Sequence, residues 1–91
     1  MAHSVSLSWT ASSDAVDGYN VYEGPSAGGE TRKVNSAVVT GTTFIDASPT
    51  LGNNFYVARS VKNGVESVNS NEVNAVILPA PPTALVVVSV A

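Results

Sequence analysis

Ser4-Val5-Ser6-Leu7-Ser8-Trp9-Thr10 alternates apolar and small polar residues without a break. A period of two puts Val5, Leu7 and Trp9 on one face and the serines with Thr10 on the other, the pattern of a half-buried β-strand. The strand is expected over about 4–11, and three residues, Met1-Ala2-His3, precede it. Helix signals are nearly absent from the rest of the chain. Short strand-like runs recur instead, each bounded by Gly, Asn, Asp, Ser or Pro, which predicts an all-β sandwich or barrel.

Beyond the loop 11–18, Tyr19-Asn20-Val21-Tyr22-Glu23 is the second expected strand, closed by Gly24-Pro25 and the flexible Ser26-Ala27-Gly28-Gly29. Thr31-Arg32-Lys33-Val34-Asn35 reads as a short charged strand of the kind that protects a sheet edge. Thr42-Thr43-Phe44-Ile45-Asp46 is the next strand, followed by a loop with Pro49 and Gly52. Segments 55–62 and 67–78 flank Asn63-Gly64, the pair that suits a type I′ hairpin turn. In 55–61 one phase aligns Phe55, Val57, Arg59 and Val61, and the other aligns Tyr56, Ala58 and Ser60. The first buries more apolar area but points Arg59 inward, which is costly for an unpaired charge. An irregularity near Asn53-Asn54 that frees Arg59 to reach solvent is therefore expected.

The order Val5-Ser6-Leu7-Ser8-Trp9, Asp17-Gly18-Tyr19-Asn20-Val21-Tyr22, Thr43-Phe44-Ile45-Asp46, Asn63-Gly64-Val65-Glu66-Ser67 and Ser70-Asn71-Glu72-Val73 resembles a bacterial or phage-type fibronectin type III domain. The likeness covers roughly residues 4–78. It implies an immunoglobulin-like antiparallel β-sandwich carrying the family's strands B to G, with Val5, Leu7, Trp9, Val21 and Phe44 in the core and Trp9 at its centre. Phe55 stands where the family has a tyrosine, or Tyr56 takes that role shifted by one residue. The family's strand A should precede Val5, and too few residues stand there to make it. The segment Pro81-Pro82-Thr83-Ala84-Leu85-Val86-Val87 resembles the start of such a strand, placed at the other end of the chain.

Two regions follow: a sandwich over 1–78, and a proline hinge with a β-prone tail over 79–91. The tail holds Ala84, Leu85, Val86, Val87, Val88 and Val90. An apolar strand at a terminus is a sticky edge unless something covers it, so these residues are the expected assembly element, with donation to a neighbouring subunit as the expected mode. The apolar run is far shorter than the roughly 20 residues of a membrane helix. No secretory leader pattern is present, and a virion or extracellular surface is the setting that the reading entertains.

Ninety-one residues make one small domain, and a chain of that size is marginal without help. With no cysteine, neither a disulfide nor a thiolate metal site can supply it; oligomerisation can. Seven carboxylates against four Lys and Arg give no basic stripe for nucleic acid. His3 is the single histidine, so the catalytic triads that rely on one have no second choice. Asp14 and Asp17 share a loop, but calcium wants six to eight oxygens, and plain turn chemistry explains the pair better. Gly28-Gly29 lacks the Lys-Ser/Thr and helix of a phosphate cradle. The expectation is a non-catalytic structural or interaction module with no cofactor and no metal. Its partner is expected to be protein, either copies of itself or a protein lattice. A decoration or adhesion protein, or a carbohydrate-binding accessory module carrying exposed aromatic side chains, is the alternative.

Overall fold

The computed structural model describes residues 3–91; Met1 and Ala2, with the start of the expected lead-in, lie outside the described residues. The chain is all-β. Its strands are β1 (Val5–Ser8), β2 (Gly18–Gly24), β3 (Arg32–Lys33), β4 (Thr43–Asp46), β5 (Gly52–Lys62), β6 (Val65–Glu66) and β7 (Val73–Ile77). They form two antiparallel sheets. One is the pair β1-β4; the other runs β3-β2-β5-β6, with β7 also paired to β5. The architecture is of the β-sandwich type, because side chains of both sheets meet in one core.

That core is centred on Val5, Val21 and Tyr56, with Leu7, Trp9, Val34, Phe44, Ala75 and Ile77 packed against it. Tyr56 and Val21 are each only 1 % exposed. Trp9 is not the centre. It is half-buried at the margin, edge-to-face on Tyr19 with ring centroids 5.4 Å apart. Leu7 and Phe44, opposite each other in the β1–β4 register, are likewise half-buried. The reason is geometric: β1 pairs with β4 alone, so the side chains it points inward are roofed on one side only.

The phase of β5 also differs from expectation. β2 and β5 pair without interruption from Gly18↔Val61 to Gly24↔Phe55, with no irregularity at Asn53-Asn54. Tyr56 faces the other sheet, so by the two-residue period Ala58 and Ser60 share its face while Arg59 lies on the outer one. Tyr56 wins the inner position because its hydroxyl has an acceptor there: Tyr56 Oη donates to Asp46 Oδ2 at 2.6 Å, from one sheet to the other. Val57 and Val61 on the outer face are nonetheless buried. Asn54, fully buried, ties the β4–β5 turn: its Oδ1 accepts from Thr50 N at 3.0 Å and its Nδ2 donates to Thr50 O at 2.8 Å.

The irregularity lies across from β5 instead. Asn63 (φ 51) and Gly64 (φ 78) make the two-residue turn into β6, but the expected continuous strand over 67–78 is broken. Val61 pairs with Glu66 in β6, and Tyr56 with Val73 in β7. Between them Ser67 N donates to Ser60 O and Ser70 N to Ala58 O, so the register slips by one residue before Ser70 and again before Val73. These slips are bulges, and serine hydroxyls support them. Ser60 N donates to Ser67 Oγ at 3.0 Å and Ala58 N to Ser70 Oγ at 2.9 Å, each hydroxyl replacing a backbone carbonyl. β3 is short for a similar reason. Past Val34, the Asn35 side chain takes over, its Oδ1 accepting from Val21 N at 2.8 Å.

Beyond β7 the chain joins neither sheet, and every residue from 78 to 91 is exposed. The molecule measures 70 × 22 × 20 Å. Its longest strand, the eleven residues of β5, spans only about 36 Å at ~3.3 Å per residue, and the projecting tail makes up the remainder.

Candidate functional site

The side of the molecule between β1 and the segment leading into β7 is open. A cavity of about 70 Å³ lies there, lined by Leu7, Trp9, Val21, Tyr56, Ala58 and Val73 among others. It continues past Trp9 into a wider mouth of about 290 Å³, where Thr10, Tyr19, Ser60 and Ser67 appear. The floor is apolar and the rim is serine and asparagine. No Asp, Glu, Lys, Arg or His lines either part. Towards the other end, Ala75 and Ile77 pack on the core and line neither part of the groove.

Above this groove the outer edge of β1 has no partner strand among the described residues, since β4 occupies the other edge. Unpaired N–H and C=O groups along a strand are a template for another strand. The site therefore offers a backbone ladder beside an apolar trough. Trp9 Nε1 is buried and has no acceptor, a further sign that this margin of the core is incompletely satisfied.

The expected assembly residues stand away from it. Leu85 is 92 % exposed and Val88 91 %, while Ala84, Val86, Val87 and Val90 are exposed as well. Leucine and valine side chains left this bare form a contiguous apolar stretch of the sort that marks an interaction site. The structure brings Val5, Leu7, Trp9, Val21 and Phe44 together and leaves the tail apart from them.

Several titratable groups elsewhere are engaged in structure. Asp17, weighed above as a cation ligand, accepts from Asn63 N at 2.8 Å and pairs with Lys62 at 3.6 Å; the Asn63 amide holds its carboxyl below the usual range. Among the described residues no three His, Asp or Glu side chains gather as metal ligands would. Glu66 accepts from Tyr22 Oη at 2.6 Å, Asn20 Nδ2 at 2.7 Å and Arg59 Nη1 at 3.0 Å. The Tyr22 and Asn20 donors lead in holding its carboxyl down to about 2. Burial, and then the Asp46 carboxylate, push the Tyr56 phenol well above its ordinary value.

Arg59 also lies 4.4 Å from the centre of the Tyr22 ring. Sugar recognition by stacking asks for a bare aromatic face, and this one is occupied. Tyr19 is no better placed, being buried with its hydroxyl accepting from Ser12 N at 2.8 Å.

Sequence reasoning missed the groove itself. It found no strand A to lie beside β1, but Ser67 and Ser70, which support the two slips and stand on the rim, read simply as polar strand residues. Comparison with protein-family models, with curated proteins and with solved structures finds no match to this chain.

Proposed function

We propose that this chain is a non-catalytic structural module, a fibronectin type III-like sandwich that assembles with neighbouring subunits through the open edge of β1. One observation carries the reading: an unpaired strand edge runs beside an apolar groove in the same molecule that bears a bare apolar tail. Both surfaces cost free energy in water, at roughly 25 cal/mol per Å² of apolar area, and one association relieves both. The two antiparallel sheets, one pairing β1 with β4 and the other holding β2 between β3 and β5, support the sandwich part of this reading.

The non-catalytic part is supported by the lining of the groove. Its one titratable side chain at depth is a tyrosine whose hydroxyl is committed to Asp46, and no acid or base beside the rim serines is there to activate them. The guanidinium over Tyr22 argues against that ring as a sugar platform.

Sedimentation equilibrium over a hundredfold range of concentration tests the assembly. The expected mass rises with concentration above the 9.3 kDa of one chain. A mass that stays at one chain throughout overturns the reading.

A further inference from the structure

We infer that the strand received by the groove is the tail of a second copy, entering at the Trp9 end and running antiparallel to β1, so that copies join head to tail. This rests on the assembly reading above and adds the donor, its direction and the polarity of the chain of subunits.

The direction follows from which end of the groove is open. β1 runs from Val5, opposite Asp46, to Ser8, opposite Thr43. Val5 lies at the end of the sandwich where Asp46 meets Tyr56, and Trp9 at the end where it meets Tyr19. Ala75 and Ile77, opposite Asn54 and Gly52 in β5, pack on the core towards the Val5 end and line neither part of the groove, which makes that the sealed end. The mouth with Thr10, Ser12 and Ser67 lies at the Trp9 end. A strand that enters there and runs inwards travels against β1. Antiparallel pairing is also the slightly more stable arrangement per residue.

The donor follows from where the chain leaves. β7 runs from Val73, beside Tyr56, to Ile77, beside Gly52. It therefore ends at the sealed end, where Pro79 and Ala80 lie near His3, Ala47 and Pro49. To enter its own groove by the open mouth, the tail would first have to climb the length of the sandwich. Pro79-Ala80-Pro81-Pro82 spans only about 12 Å in extended form. The mouth lies beyond β7 and the 67–72 segment, roughly 25 Å or more away at ~3.3 Å per residue. A second copy stacked with its sealed end on the first copy's open end needs no such climb.

The composition of the tail fits this occupant. Ala84-Leu85-Val86-Val87-Val88 is apolar at every position rather than at alternate ones, as strands buried on both faces are. One face would fill the trough over Val21 and Tyr56. The tail carries no charge before its terminus, and neither does the groove lining.

The absence of cysteine makes the test clean. Thr10, Ser4 and Thr83 are all exposed, so substitution at them leaves the core alone. The full chain carrying Thr10→Cys with Thr83→Cys is oxidised and run without reductant, alongside one carrying Ser4→Cys with Thr83→Cys. The inference expects a ladder of covalent oligomers from the first pair and little from the second. Adding Val86→Asp and Val87→Asp, which spoils both faces of the tail, should abolish the ladder. Cross-linking through Ser4 instead means entry from the sealed end, and overturns the direction while the assembly reading stands. Closure within single chains overturns donation between copies. A full chain that sediments as a monomer overturns the inference and the assembly reading together.

Discussion

Tyr56 is the residue on which the two sheets depend. Its ring fills the centre and its hydroxyl satisfies Asp46, a buried carboxylate whose nearest cation, Arg32, stands 3.9 Å away. Tyr56→Phe keeps the ring but removes the donor, and leaving a buried acceptor short costs about 1–3 kcal/mol. Urea unfolding should show that loss, and a wild-type midpoint would refute it. Carboxylates set the response to pH. Glu66 is held down to about 2 by its donors, so its contribution is complete above the ordinary carboxylate value of roughly 4.3 and drains away as pH falls towards 2. Glu66→Gln should flatten the loss of stability measured between those values. Glu30 behaves in the opposite sense. It is buried, its Oε2 lacks a donor, and the neighbouring Glu72 raises it while being lowered in turn. Its protonated form suits the folded state, and the support it gives fades as pH rises through its raised value. Glu30→Gln should therefore stabilise the chain at pH 7 and make little difference in acid.

At the scale of elements, the β5–β6 turn is set by two residues with positive φ. A Cβ on Gly64 would meet no atom within 4 Å, so Gly64→Ala isolates the backbone term, about 1–2 kcal/mol for an L-residue held left-handed. A substitution without effect on the melting midpoint would mean that the turn is not built this way. This hairpin was legible in the sequence because Asn-Gly is local chemistry. So were β1 and β2, where alternation and turn residues agree. The phase of β5 was not legible, since both of its faces carry large side chains and the choice depends on Asp46 in the other sheet. The break between β6 and β7 was hidden as well. Ser67 and Ser70 act as stand-ins for carbonyls only once β5 lies beside them. The serine rim of the trough inherits that non-local origin, while the marginal place of Trp9 follows from the pairing of β1 with β4.

For the whole molecule, a core roofed on one side only predicts that stability and association are linked. If a neighbour's strand completes the fold, the melting temperature of the wild-type chain should climb with protein concentration, and that of the Val86→Asp, Val87→Asp chain should not. A midpoint independent of concentration in both would separate folding from assembly. The opposed directions of β1 and β7, described above as topology, also have a mechanical meaning. In a row of copies joined as proposed, each chain would leave at the sealed end and a neighbour would be received at the open one, so tension along the row would act parallel to the strands. Every hydrogen bond between β1 and the received strand is then strained sideways at the same moment, and none can yield before its neighbours. A row joined in this way resists pulling along its length far better than peeling from the side.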